Sequence, residues 1–340
     1  MTELDLRPWA AAAPDAVVDA LASARAVLVV SHENPDADTL GAGLALTALV
    51  EAGGGRATPV CTDPPPALYG FLPGIERVRT DPDPAIAYDR LVIVDCGSLD
   101  RVGAVGQRHA ALFAALPRIV IDHHLSNAAD GPTDWIDAYA AATCEMVALL
   151  ATRLGVGLDT GGGALATDLM AGIVMDTATF AHPNATPRTL AVSAALVAAG
   201  APLSEISRRL YRSKPDGQLR LFGRVLERLE HTDDGRVIWS SLTDPDLAAT
   251  GTGAAHSEGI IDLLAQAERA EVAILFKEVG SATRISVRTK PGGVDATVLT
   301  GAFGGGGHAR AAGATVNLPL EPARQSVLAE ASRLAAAVVR

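Results

Sequence analysis

Two short runs, Leu91-Val92-Ile93-Val94 and Ile119-Val120-Ile121, are built from β-branched and leucine residues and stop on aspartates, Asp95 and Asp122. Neither run alternates apolar with polar, so each reads as a strand covered on both faces, the situation of a parallel sheet flanked by helices. Ala26–Ser31 is a third such run and leads into Ser31-His32-Glu33-Asn34-Pro35-Asp36-Ala37-Asp38. A helix is expected from Asp38 to about Ala52, ended by Gly53-Gly54-Gly55, with a strand over Arg56–Cys61 and a loop at Asp63-Pro64-Pro65-Pro66. Further helices are expected over Ala141–Leu154 and Ala164–Met175. Strands alternating with helices imply an α/β layer architecture. In such sheets ligands bind beyond the carboxyl ends of the strands, which is where these three acidic clusters fall; a fourth, Asp176, follows the last of those helices.

Chains longer than roughly 250–300 residues divide into domains, and this one has 340 residues, 49% of them hydrophobic. The expected division is a catalytic α/β domain over 1–185, a helical connector over 186–230 (helices at Leu203–Tyr211 and Gln218–Leu229), and a smaller α/β domain over 231–340. In the last, Val237–Leu242, Ala270–Lys277, Arg284–Arg288 and Ala314–Leu318 read as strands, and a helix runs on from Glu321. The net charge of −11 disfavours a surface that tracks long nucleic acid, which is normally basic. It leaves room for a small anionic substrate, whose field can be set locally by metals and a few arginines. Cys61, Cys96 and Cys144 form no CxxC pair, and no apolar run reaches the ~20 residues of a membrane span. A reduced, cytoplasmic protein that does not enter a membrane is the expectation.

The acidic clusters are the candidate chemistry. His32, Asp36 and Asp38 lie on a tight turn, where the two aspartates either hold one or two cations or cap the next helix. Asp95 and Asp176 each read as a ligand or as the cap of a turn. Asp122-His123-His124 is more specific, because adjacent histidines after a strand point to different sides, one to a metal and the other to a substrate. Taken together the clusters offer oxygen and imidazole donors for two divalent ions, with no cysteine among them. That disfavours structural zinc and suits Mn²⁺, with Mg²⁺ possible. Two such ions make a hydrolytic centre.

His32-x-Asn34-Pro35-Asp36-x-Asp38, Asp95, Asp122-His123-His124 and Asp176, in this order, resemble the four motifs of the DHH phosphoesterase superfamily. Gly304-Gly305-Gly306-Gly307-His308 with Ala311-Ala312-Gly313 resembles its associated C-terminal domain, and the compact length resembles the nano-RNase/pAp-phosphatase branch. The resemblance implies a parallel-sheet DHH domain, a smaller DHH-associated domain, and an active site in the cleft between them. It implies one Mn²⁺ on His32, Asp36 and Asp95 and a second on Asp38, Asp95, His123 and Asp176, with Asp95 bridging and His124 beside the scissile phosphate as the second catalytic group. It further implies a bifunctional enzyme, commonly a homodimer. Its substrates are short RNA of a few nucleotides, or dinucleotides, cleaved to 5′-mononucleotides, and 3′-phosphoadenosine 5′-phosphate (pAp), cleaved to AMP.

Substrate binding is expected in the second domain. Gly305, Gly306 and Gly307 let backbone N–H groups approach an anion, in a stretch too glycine-rich for a strand or helix interior. Arg288 matches the family's phosphate-binding arginine, and His308 adds a donor. Ala309 stands where relatives carry a basic residue, which moves the charge to Arg310. Arg101 is open between a substrate contact and a surface salt bridge. The same motifs also suit a cyclic-di-AMP or pApA phosphodiesterase. A regulator that binds nucleotides without catalysis is the alternative of another class, disfavoured by the full ligand set. A dinucleotide-dependent dehydrogenase fails for want of a glycine fingerprint after the first strand.

Overall fold

A computed structural model describes residues 5–125, 127–128 and 131–338, apart from the side chain of His308. The chain forms two compact units, Met1–Ser213 and Lys214–Arg340. The stretch expected as a connector divides between them: the helices Pro187–Ala198 and Leu203–Tyr211 belong to the first unit, and Asp216–Glu227 to the second.

The first unit carries a parallel sheet of β1 (Ala26–Ser31), β2 (Arg56–Cys61), β3 (Arg90–Val94), β4 (Arg118–Asp122) and β5 (Asp134–Ile136) in the order β2-β1-β3-β4-β5. Strand residues alternate between two cores. Val27, Val29, Val92, Val94, Ile119 and Ile121 face one side, and Leu28, Val30, Leu91, Ile93 and Val120 face the other. This is the arrangement that unbroken apolar runs require. Strand β5 was not expected; three residues at a sheet edge carry too little pattern to read. Strand order reverses between β1 and β3, so a crevice opens beyond their carboxyl ends.

Helices Ala37–Ala52, Thr143–Arg153 and Ala164–Asp176 pack on one face, and two glycines set how closely. A Cβ built on Gly41 would lie 2.4 Å from the Asp168 carbonyl oxygen, and one on Gly172 would lie 2.4 Å from both Asp38 Oδ1 and Cys144 Sγ. The three cysteines are free and buried. Among the described residues no single helix is long and apolar enough to cross a membrane; the bent pair Pro187–Ala198 and Leu203–Tyr211 passes on composition, but puts Val192, Leu196, Ile206 and Leu210 into the core.

The second unit holds a mixed sheet of β6 (Glu230–His231), β7 (Val237–Leu242), β8 (Val272–Val279), β9 (Ala282–Thr289), β10 (Gly306–His308) and β11 (Ala311–Val316), ordered β10-β11-β9-β8-β7-β6. One face packs Ile274, Phe276, Ile285 and Val287 against the Leu320–Ala337 helix; the other packs Ala273 and Leu275 against the Asp216–Glu227 helix. The glycine run corrects the expectation that it is too glycine-rich for a strand. Gly306–His308 pairs antiparallel with Ala311–Gly313. The reason is steric: a Cβ on Gly305 would lie 2.2 Å from the Gly313 oxygen, and one on Gly307 would lie 2.6 Å from the Ala311 oxygen. Glycine lets this edge strand lie close against β11.

Candidate metal centre

The site grows from the carboxyl ends of β1, β3 and β4. After β1 the chain turns at Asn34, whose φ of +52° lies in the left-handed region that asparagine tolerates. Asp36 then caps the Ala37–Ala52 helix, its Oδ1 accepting from the N–H groups of Asp38 (2.9 Å) and Thr39 (3.1 Å). Its Oδ2 lies 3.8 Å from His32 Nε2. Asp36 therefore caps the helix with one oxygen and keeps the other near the His32 ring. Asp38, in the same first turn, is fully buried and caps a different helix. It accepts from the N–H groups of Thr143 (2.7 Å) and Cys144 (2.9 Å), at the start of Thr143–Arg153, whose own N-cap position is Ala142.

Asp95 follows β3 with φ +56°, a strained conformation of the kind that gathers at functional sites. The strain turns its buried carboxylate between two histidines: Oδ2 is 3.5 Å from His32 Nε2, and Oδ1 is 3.5 Å from His123 Nε2. Thr143 Oγ1 donates to the same Oδ1 at 3.1 Å. Both histidines have the tautomer set by their other nitrogen. His32 Nδ1 donates to the Glu33 carbonyl (2.7 Å), and His123 Nδ1 to the Ala140 carbonyl (3.3 Å). Nε2 is thereby left on each ring as the atom that could take a cation. His123 Nε2 also faces Asp176 Oδ2 (3.1 Å) and Asp38 Oδ2 (4.0 Å).

Asp176 closes the Ala164–Asp176 helix. Ala178, Thr179 and Phe180 just beyond it all have positive φ. Asn184 ties this turn to the neighbouring loop by donating to the carbonyls of Asp176 (3.2 Å) and Ala141 (3.1 Å). Asp122 stands apart from the cluster. Its Oδ1 accepts from His124 Nδ1 at 2.7 Å, and its Oδ2 from Asn127 Nδ2 at 2.6 Å. His124, held by Nδ1, presents Nε2 as its reactive nitrogen. Gly97 makes room for this ring, since a Cβ there would lie 3.1 Å from His124 Cγ. The Arg101 guanidinium lies 3.3 Å from His32 Nδ1 and forms no ion pair among the described residues.

Three groups of donor atoms each fall within 4.8 Å of one another: His32, Asp36 and Asp95; Asp38, His123 and Asp176; and Asp95, His123 and His124. In the last, His124 is already committed through Nδ1 to Asp122. The electrostatics of the bare cluster are those of a cation site. Burial, reinforced by the charges of Asp38, Asp36 and Asp176, holds Asp95 well above the usual carboxylate range. Burial and Asp38 push Asp176 up to about 7, against the pull of His123. Burial opposes charge on His123, but the hydrogen bond to Asp176 and the field of Asp38 raise it to about 9. Cations with oxygen and imidazole preference fit this donor set. Burial, with the charge of Asp95, pushes the nearby Cys96 thiol well above its usual range.

Of the expected substrate residues, Arg288 lies on β9 and donates through Nε to Asp262 at 2.9 Å. The register places the backbone positions of His308, Ala311 and Arg288 in one row across β10, β11 and β9; the His308 side chain lies outside the described residues. Arg310 donates to the Lys290 carbonyl at 2.7 Å. Sequence reasoning missed Thr143, Ala140, Asn127 and Gly172. One signal was present: a helix that starts after Ala142, with no capping side chain of its own, needs a cap from elsewhere.

The model described as DHH family, N-terminal domain, matches residues 26–175, and the DHHA1 domain model matches 235–337. The bifunctional oligoribonuclease and PAP phosphatase NrnA of Thermus thermophilus is 31% identical over 303 residues, 89% of this chain and 88% of that protein. The chain belongs to the DHH family. A second DHH relative, the bifunctional oligoribonuclease and PAP phosphatase NrnA of Bacillus subtilis, is 24% identical over 85% of this chain and 89% of its own length. The crystal structure of an exopolyphosphatase-related protein from Bacteroides fragilis superimposes with a TM-score of 0.85 at 22% identity, covering 94% of this chain and 96% of that one. It shares this DHH chain's fold.

Proposed function

We infer that the chain is a phosphoesterase that uses two divalent ions, Mn²⁺ by the donor preference, to hydrolyse short oligoribonucleotides to 5′-mononucleotides and pAp to AMP. The observation that carries this reading is the placement of Asp95, one oxygen toward His32 and the other toward His123, in a chain aligned over most of its length with NrnA. His32, Asp36 and Asp95 would hold one ion, and Asp38, Asp95, His123 and Asp176 the other. When bound, the pair supplies positive charge against the phosphoryl oxygens and acidifies the attacking water.

The chain's own groups do the rest. The carbonyls of Glu33 and Ala140 hold the protons of His32 and His123 on Nδ1 and aim Nε2 inward. Asp122 holds His124 by its Nδ1–H and stabilises positive charge on the ring. His124 Nε2 can then neutralise charge on the scissile phosphate or give a proton to the leaving oxygen. Arg288 and the backbone of Gly305, Gly306 and Gly307, with His308, would bind a phosphate that is not being cleaved. Three buried free thiols suit a reducing cytoplasm.

The test is a substrate panel of pAp, a diribonucleotide, a trinucleotide, pApA and cyclic-di-AMP, run on stripped protein reloaded with Mn²⁺ or Mg²⁺, with products separated by chromatography. Release of AMP from pAp and of mononucleotides from short RNA is expected. Asp95→Ala should lower kcat by well over the ~100-fold that loss of a supporting contact costs a metal site, with the circular dichroism spectrum retained. No metal-dependent release from any member of the panel would sink the assignment.

A further inference from the structure

Of the four tyrosines in the chain, three are engaged. Tyr69 is buried, Tyr88 donates its hydroxyl to Thr58, and Tyr211 donates to the Met175 carbonyl. Tyr139 is 86% exposed, and among the described residues its ring and hydroxyl make no hydrogen bond and no ring contact. The backbone beneath it is nevertheless fixed. The Asp137 N–H donates to the Asp122 carbonyl at 3.0 Å, and the N–H groups of Tyr139 and Ala140 donate back to Asp137 at 3.0 Å each. Arg188 holds the Asp137 carboxylate at 2.9 Å, and the Ala140 carbonyl accepts from His123 Nδ1. A large apolar group kept in water on a fixed backbone forgoes the gain of burial, and such aromatic side chains anchor binding surfaces.

The strand register shows where this ring stands. Strands β4 and β5 pair with Asp122 opposite Ile136. Leu125 lies three residues beyond Asp122, and Tyr139 lies three residues beyond Ile136. Leu125 is 87% exposed, and these two are the most exposed large hydrophobic residues among those described. Each adjoins the histidine pair: Leu125 follows His124, and Tyr139 precedes Ala140, whose carbonyl holds His123. Both thus emerge at the carboxyl ends of two neighbouring strands, beside the rings that would face the phosphate.

Their chemistry narrows the occupant. Neither side chain carries charge, so neither selects a phosphate. A phenol ring and a branched aliphatic chain suit a flat, aromatic group joined to the phosphate through a few bonds, and a nucleobase is such a group. We propose that Tyr139, with Leu125, forms an apolar platform for the nucleobase nearest the phosphate that is cleaved. The platform lies within the first unit, and its role in turnover rests on the reading of the chain as a phosphoesterase.

Tyr139→Ala, Tyr139→Phe and Leu125→Ala test this in the full, Mn²⁺-loaded chain. The kinetic readout is the preference in kcat/KM for pAp over ribose 3,5-bisphosphate, which lacks only the base. Tyr139→Ala should lower this preference roughly tenfold, through KM, within the range that stacking of a base on an aromatic ring contributes. Leu125→Ala should lower it by a smaller factor. Tyr139→Phe should keep it, because the ring face and not the hydroxyl does the stacking. The binding readout is the fluorescence of 2-aminopurine riboside 5′-monophosphate, which needs no turnover: wild type and Tyr139→Phe should quench it, and Tyr139→Ala should not. A preference unchanged in Tyr139→Ala, whether both rates hold or both fall, overturns the platform, as does quenching that survives this change. A preference lost equally in Tyr139→Phe overturns stacking as its cause. If Tyr139→Ala sediments as a smaller species than wild type and keeps the preference, the two side chains serve contact between copies of the chain and the proposal fails. A wild type that cleaves neither compound fails the phosphoesterase reading and leaves the quenching to decide the platform.

Discussion

Thr143 holds the acidic cluster together without being one of its candidate ligands. Its N–H donates to Asp38 and its hydroxyl to Asp95, so one residue aims two carboxylates from different elements. Thr143→Val keeps the shape and the N–H and removes only the hydroxyl. It should weaken divalent-ion binding by about 10–100-fold, read by titration of the stripped protein; unchanged affinity would show that Asp95 is aimed by its backbone alone. Proton linkage belongs to the same scale. In the metal-free chain Asp176 sits at about 7 against an ordinary 3.8, so the folded chain keeps a proton there that the unfolded chain has lost. Stability tied to it falls as pH rises from about 4 through about 7. His123 sits at about 9 against 6.5; its contribution is complete below about 6.5 and is lost as pH rises through about 9. Both slopes have the same sign. Calorimetry in chelator should show the melting temperature falling between about pH 5 and about pH 9, and saturating Mn²⁺, which replaces these protons, should flatten the decline. A metal-free melting temperature that rises over this range would contradict the crowding of carboxylates around Asp95. The candidate ligands could be picked out in the sequence because each is an acid or histidine at the end of an apolar run. Thr143 and the Ala140 carbonyl were not, because a threonine at a helix start and a main-chain oxygen look the same whether or not a metal ligand leans on them.

At the scale of elements, the approach of three helices decides whether the cluster exists. Gly172 is the contact point, with Asp38 on one side and Cys144 on the other. Gly172→Ala should destabilise the chain by about 1–3 kcal/mol, the usual cost of overpacking, and should weaken ion binding as Asp38 is displaced. Gly223, inside the Asp216–Glu227 helix, faces open space: a Cβ there would meet nothing within 4 Å. Gly223→Ala should therefore stabilise by about 0.5–1 kcal/mol through helix propensity. Chemical denaturation of both variants checks the pair; equal effects would mean that contact distance is not what separates them. Gly172 could not be picked out in the sequence, because a glycine within an apolar helix carries no mark of what it touches. The same limit applies to β10. Its glycines suggested a loop, and only the partner strand, with the Ala311 and Gly313 carbonyls pressed against it, explains why glycine is needed in an extended segment. Long runs such as β3 and β4 were readable because burial on both faces leaves its own unbroken pattern.

At the scale of the whole molecule, each unit carries one cluster of a single sign. The first gathers Asp36, Asp38, Asp95 and Asp176 around two histidines, and the second gathers Lys277, Arg284 and Arg288 on one sheet face. The sequence showed the motifs of both halves in order, but not that the cations oppose one another, since that depends on the β8–β9 register. Among the described residues every candidate ligand lies within Met1–Ser213, so ion binding should stabilise that unit by about 2.7 kcal/mol at a hundredfold excess over the dissociation constant. Hydrogen exchange followed by mass spectrometry can locate the effect. Added Mn²⁺ should slow exchange in peptides spanning the ends of β1, β3 and β4 and the start of the Thr143–Arg153 helix. Peptides from β7, β8 and β9, whose amides are paired within their own sheet, should exchange at the same rate with and without the ion. Slowing of equal size in both sets would mean that the ions act on the chain as a single cooperative body, and the ligand set confined to the first unit would no longer account for where they bind.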